Sequence, residues 1–234
     1  MKYILSVFIA LVISSGAFAN GINNQNEMIK LPAPSLKGSV SVEETMLNRR
    51  SVRDFKTDAL SLEQVSQILW AAYGITKEMN SSSSLRGGLR TAPSAGAKYP
   101  LEIYVVAGNV NGLKPGIYKY LPEGHFLMET YDKDVRKELA EAALDQEFIE
   151  QAPISLFFSA VYSRTTSKYR ERGRERYVCM DLGHSAQNVC LQVVALGLGT
   201  CPVGAFEDSM VSNVVMIPDK EEPLYIMPIG YPKK

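Results

Sequence analysis

Neither sign of charge prevails in this sequence: 25 lysines and arginines stand against 25 aspartates and glutamates in 234 residues. A general electrostatic grip on nucleic acid needs a cationic excess, so no nucleic-acid partner is expected. The densest basic stretch, Arg170 to Arg176, is interrupted by Glu171 and Glu175 and reads as a solvated helix start. Cysteine is scarce. The three present, Cys179, Cys190 and Cys201, are an odd number, so at least one thiol stays unpaired. Cys179 and Cys190 fall eleven residues apart on one predicted helix, roughly 16 Å along its axis and beyond disulfide reach. The cysteines read as small, buried apolar side chains. Histidine is scarcer still: His125 and His184 are isolated and read as structural, and no metal-ligand spacing occurs, so no metal is expected. A long apolar span is also lacking, since the one continuous apolar run, Tyr3 to Ile13, is short for a membrane crossing.

What is present at the N-terminus has the order of a secretory signal: Lys2, the apolar run, Ser14-Ser15-Gly16, then Ala17-Phe18-Ala19 in small-x-small form. Residues 1–19 are therefore expected to be a signal peptide cleaved after Ala19, giving an exported, periplasmic or secreted protein. Residues 20–37, polar and proline-bearing, read as a flexible leader, and 38–234 as one domain. A hydrophobic fraction of 46% is enough to build a core without disulfide staples. Ser81 to Ser84, with Gly87 and Gly88, reads as a mobile loop.

Periodicity supplies the elements. Ser61 and Gln64 form a capping box, with Leu60 and Val65 as a staple. Val65, Ile68, Leu69 and Ala72 follow at helical spacing until Gly74. Leu101 to Ala107 reads as a strand, and Gly116–Leu121 with Phe126–Thr130 as a hairpin around Pro122-Glu123-Gly124. Asp132 to Leu144 reads as a helix with Val135, Leu139 and Ala142 inward, and Ile154 to Val161 as a buried central strand. A long helix from about Arg174 to Leu196 turns Leu182, Ala186, Val189, Cys190 and Val193 inward. An extended segment Thr200–Phe206, a short helix near Asp208–Val215 and a last strand Leu224–Ile229 complete the chain. Strands and helices mix without strict alternation, which predicts an α+β sheet surrounded by helices.

Four segments carry polar or small residues that a bare fold does not require. Arg49-Arg50-Ser51-Val52-Arg53 puts three guanidinium groups within five positions; they repel unless an anion lies among them, and the guanidinium fork suits phosphate. Pro93-Ser94-Ala95-Gly96-Ala97-Lys98-Tyr99-Pro100 and Gly197-Leu198-Gly199-Thr200-Cys201-Pro202-Val203-Gly204-Ala205-Phe206 expose backbone to a flat ligand. The fourth is the terminal Gly230-Tyr231-Pro232-Lys233-Lys234. Taken singly, each could be a plain turn.

In order along the chain, Arg-Arg-Ser-x-Arg-x-Phe, Pro-Ser-Ala-Gly-Ala-x-Tyr-Pro-Leu-Glu, Asp-x-Gly-His-x-x-Gln-Asn and Gly-Leu-Gly-Thr-x-Pro-Val-Gly-Ala-Phe resemble the nitroreductase superfamily. They are most similar to its SagB-type branch, which includes azoline oxidases. The resemblance runs from about Leu47 to Tyr231. It implies a nitroreductase-like α+β fold, with a mainly antiparallel sheet surrounded by helices, and a homodimer with FMN at the subunit interface. Carried over by position, Arg49, Arg50, Ser51 and Arg53 contact FMN, with Arg53 near the pyrimidine edge, where reduced flavin gains negative charge. Pro93, Ser94 and Ala95 cross to the partner's flavin, and Val203, Gly204 and Ala205 present backbone N–H toward flavin N5. Lys233 or Lys234 stands in for a basic clamp that many relatives carry further on.

The implied chemistry is ping-pong hydride transfer to or from a small organic substrate of nitroaromatic or quinone type. The electron donor is left open, with NAD(P)H as one option. Lys98 and Tyr99 match a Lys-Tyr pair that azoline oxidases use to remove a proton, which makes a dehydrogenase of that type the first alternative. A flavin-binding protein without turnover is the second.

Overall fold

A computed structural model describes residues 27–79 and 85–233. The predicted signal peptide, the first part of the leader, the serine run at 81–84 and Lys234 lie outside the described residues.

Seven strands form one antiparallel sheet: β1 (Met28–Lys30), β2 (Leu101–Ala107), β3 (Gly116–Leu121), β4 (Phe126–Tyr131), β5 (Ile154–Ala160), β6 (Gly199–Thr200) and β7 (Glu222–Gly230). Their order across the sheet is β1-β4-β3-β2-β5-β7-β6. Strands β2 and β5 pair at its centre, and every residue of both is buried, the polar Glu102, Ser155 and Ser159 included. Such strands need cover on both faces, and the chain supplies it. On one face Leu101, Ile103, Val105, Leu156 and Phe158 pack against α2 (Leu62–Tyr73) and α6 (Val178–Ala195). On the other Tyr104, Val106, Ile117, Phe157 and Ile226 pack against α3 (Arg136–Ala142) and α7 (Asp208–Val215). Each fully buried large aliphatic or aromatic side chain contributes on the order of 1.5–3 kcal/mol, so the two apolar layers hold the sheet between them.

The helix after Ser61 forms as read. Ser61 Oγ accepts from the Gln64 amide, Gln64 returns the bond to the Ser61 amide, and Gly74 follows the last turn. The hairpin and α7 also appear where their patterns put them.

Five expectations need correction. The leader is not free over its whole length: Met28–Lys30 pairs with Phe126–Met128 as an edge strand, and Leu31 is buried. An edge strand needs backbone partners more than an apolar pattern, so composition hid it. The helix expected from Asp132 begins only at Arg136, because the Asp134 carboxylate accepts from the Arg136 amide and side chain and holds the chain in a turn. The long helix is regular only from Val178, preceded by a π-helical turn, Gly173–Tyr177. Before it lies a further helix, α5 (Ser163–Arg172), too polar to show an apolar stripe; α1 (Val42–Asn48), only seven residues long, also precedes the first helix expected. Finally, Cys179 is exposed in the first turn of α6, whereas Cys190 and Cys201 are buried.

Candidate active site

The arginine segment leaves α1 at Arg49 and runs along the edge of the sheet. Ser51 bridges Thr200 of β6, and the Val52 amide donates to the Thr200 carbonyl at 3.0 Å. Close approach here depends on Gly199: a Cβ on it would lie 2.5 Å from Val52 Cγ2. Further along, Phe55 bridges Pro232, and the Lys233 amide donates to the Asp54 carbonyl. Thus the first, third and fourth sequence segments meet at one edge. Arg50, Ser51 and Arg53 are exposed and Arg49 partly so. Arg50 donates to the carbonyls of Leu47 and Arg49 at 2.9 and 2.7 Å, and none of the three arginines has a carboxylate partner among the described residues. Lys233 differs, because its ammonium lies 2.9 Å from the Asp54 carboxylate.

Val203 exchanges two backbone hydrogen bonds with Ile226 of β7, after which Gly204 and Ala205 are exposed. Their amides have no partner among the described residues. The Thr200 hydroxyl is buried on the same stretch and is likewise unpartnered there. Unpaired guanidinium groups, exposed amides and an orphaned hydroxyl on one edge suit an anionic, flat ligand with several acceptors.

The second segment is held by a different device. The Ser94 hydroxyl donates to Asp181 at 2.5 Å, the Ala95 amide donates to the other Asp181 oxygen at 3.2 Å, and the Tyr99 amide donates to Ser94 Oγ at 2.8 Å. Asp181 is buried on α6; burial raises its pKa, against the lowering by Ser94, Ala95 and His184. Pro93 is exposed, Ser94 and Ala95 partly so. Gly96, Ala97 and Tyr99 all have positive φ, of 58°, 52° and 46°. That conformation is costly for the two non-glycine residues and persists only where the surroundings over-determine it.

They do so at Tyr99. Its ring is 3% exposed, packed edge-on to Tyr73 with Arg90 stacked 4.9 Å away, and its carbonyl accepts from Arg86 and Arg164. Both arginines also meet Glu102, at 3.0 and 2.5 Å, and Lys119 bridges Glu102 to Glu221. Burial pushes the Glu102 carboxyl up, but Lys119, Arg164 and Arg86 outweigh it and hold it below the ordinary value. Tyr99 thus lies within the core, while Lys98 beside it is partly exposed.

The two halves are apart within one chain. The Ser94 turn is fixed at Asp181 of α6, whereas the arginine segment is bonded to Thr200 of β6. Asp181, Glu102, Arg86 and Arg164 were not singled out from the sequence; Asp181 and Glu102 lie within the quoted motifs, and that position was their only signal.

A seven-stranded antiparallel sheet with helices on both faces, a cationic edge and a small-residue turn of positive φ define an α+β protein with a candidate site for an anionic ligand. The family model described as Nitroreductase family matches residues 46–231. A protein of Methanocaldococcus jannaschii described as a nitroreductase is 46% identical over 204 residues, covering 87% of this chain and 97% of that one. An FMN reductase (NADPH) of Bacillus subtilis is 25% identical over 193 residues, 81% of this chain and 65% of that enzyme. A solved nitroreductase structure from Ralstonia eutropha superposes with a TM-score of 0.73 at 29% identity, covering 88% of this chain and 90% of that one. The chain belongs to the nitroreductase family and is an oxidoreductase.

Proposed function

We propose that this protein is an exported FMN-dependent oxidoreductase that works as a homodimer and moves a hydride between a donor and a small organic acceptor of nitroaromatic or quinone type. The observation that carries the reading is the sheet edge, where the uncompensated Arg49, Arg50 and Arg53 lie beside Ser51, Thr200 and the free amides of Gly204 and Ala205. Arg49, Arg50 and Ser51 would hold the phosphate and ribityl chain, and Arg53 would face the pyrimidine edge. FMN supplies two-electron hydride chemistry when bound. The protein's part is to present Gly204 and Ala205 N–H groups to the ring and to fix the Ser94 turn through Asp181. Lys233, already paired with Asp54, is a weaker phosphate ligand than the arginines. Export rests on Lys2, the apolar run and Ala17-Phe18-Ala19; among the described residues no helix is long and apolar enough to cross a membrane.

The test is to produce the chain from Asn20, record its visible spectrum and identify the released chromophore by mass. Bands near roughly 370 and 450 nm, as for any bound flavin, with FMN released, are expected. A colourless protein that takes up no added FMN would refute the reading. Edman sequencing of the chain recovered from a periplasmic fraction checks export, with Asn20 as the expected first residue. Lys98→Ala tests the dehydrogenase alternative, which requires that lysine, whereas reduction of a quinone does not.

A further inference from the structure

Helix α5 and the π-helical turn together carry six basic and two acidic side chains, in a protein whose net charge is zero. Two of the six are committed: Arg164 to Glu102, and Arg174 to Glu222. Lys168, Arg170, Arg172 and Arg176 are exposed and have no carboxylate partner among the described residues. Two of these are ordered by aromatic rings. Lys168 Nζ lies 5.1 Å from the centre of the Tyr169 ring; Arg172 lies 5.7 Å from that of Tyr177 and donates to its hydroxyl at 2.9 Å. The two tyrosines meet edge to face, 4.9 Å apart.

This cluster sits on the candidate site. The Tyr169 hydroxyl covers Gly96, where an added Cβ would lie 2.5 Å from it, and Gly96 is two residues from Lys98. Arg164, from the same helix, reaches the carbonyls of Tyr99 and Pro100 at 3.3 and 3.4 Å. The backbone between the two cations is strained: Arg170 has φ 52° and ψ −143°, a glycine-favouring conformation, and the π-helical turn follows at once. Strain of that kind clusters at functional sites, as do π-turns. A merely solvated basic face requires neither.

We infer that Lys168, Tyr169, Tyr177 and Arg172 form the entry subsite for a planar substrate bearing an anionic group. The rings take the flat part by stacking and the cations take the carboxylate or phosphate. The inference rests on the oxidoreductase reading above and adds a substrate class to it. Two reactants could present this chemistry, an aromatic acceptor with a carboxylate or a nicotinamide donor with an extra phosphate.

The experiment compares wild type with Lys168→Glu/Arg172→Glu on two matched pairs, 4-nitrobenzoate against nitrobenzene as acceptor and NADPH against NADH as donor. In one pair the anion-over-neutral, or phosphate-over-none, ratio of kcat/KM should fall at least tenfold through KM. The pair that responds identifies the source, and in wild type the same ratio should shrink as salt is raised. Both ratios unchanged would overturn the inference. So would loss of flavin from the variant with both ratios unchanged, which assigns the cluster to the cofactor instead. Calorimetric titration with 4-nitrobenzoate and with NADPH needs no turnover: if the protein proves inactive, the oxidoreductase reading falls, while equal, weak binding of both ligands by wild type and variant overturns the subsite itself.

Discussion

Asp181 shows how much a single side chain decides here. It reaches across 87 residues to the Ser94 hydroxyl and across 86 to the Ala95 amide, and so sets the turn that carries Lys98 and Tyr99. Asparagine keeps its shape but has one acceptor where two are needed. Asp181→Asn should release the turn at a cost of about 1–3 kcal/mol, with flavin affinity falling by roughly tenfold, read by equilibrium dialysis. Unchanged affinity would separate the turn from the flavin site. His125 governs stability instead. The Ser66 hydroxyl donates its one hydrogen to the Pro32 carbonyl at 2.6 Å, so it must accept from His125 Nε2, and Nδ1 lies 2.8 Å from the Tyr120 hydroxyl, which donates to it when the ring is neutral. Burial and then Lys30 lower its pKa and so favour the neutral ring. The unfolded chain, with a histidine near about 6.5, therefore binds the proton more readily than the fold does. The stability from this site is complete above that value and is lost as pH falls through the lower folded pKa. Urea unfolding between pH 7.5 and 5.5 should show this slope in wild type and a shallower one in His125→Gln. Neither role was legible in the sequence. The motif places Asp181 and mere isolation marks His125, but their partners are fixed only by the packing of distant elements.

Among the elements, those with strong local signals were legible and those made by tertiary pairing were not. Helix α2 carries its own cap, stripe and stop. Strands β2 and β5 carry mainly apolar runs that suit a doubly covered sheet. Strand β1 and helix α5 have no such pattern, and α1 is a seven-residue helix whose apolar Val42, Met46 and Leu47 stay exposed. The arginine segment falls between these cases: its composition announced an anion site, but its place beside β6 depends on a contact 147 residues away, between Val52 and Gly199. Valine is stiff at χ1, so it cannot swing aside for a new methyl group. Gly199→Ala should push the segment off the sheet edge, lower the melting temperature by a few degrees, about what 1 kcal/mol does in a domain of this size, and weaken FMN binding. Full flavin occupancy in a Gly199→Ala protein, measured by absorbance ratio after gel filtration, would show that the edge contact does not position the arginines.

At the scale of the whole molecule, one chain looks incomplete in two independent ways. Its arginine edge is bonded to β6 and its Ser94 turn to Asp181 of α6, two separate places in the fold. Its surface also carries apolar residues that water does not favour: Leu36, Val42, Met46 and Leu47 are 78%, 59%, 58% and 71% exposed. They follow one another along the leader and α1, and a cleft of about 640 Å³ opens between that stretch, α2 and α6. Scattered apolar residues need no explanation, but four within twelve residues, two of them lining a cleft, suit an association surface. A second copy would resolve both features, covering the patch and bringing its own Ser94 turn to the first chain's arginines. The prediction is a stable dimer at micromolar concentration by sedimentation velocity. Met46→Lys/Leu47→Glu should dissociate it, because charges on a buried apolar contact are costly, and should cost flavin binding along with it. If the variant sediments as a monomer yet retains FMN, the site is complete in one chain and the dimer is not part of it. If the wild type is itself a flavin-loaded monomer, the apolar patch must serve something other than a second copy.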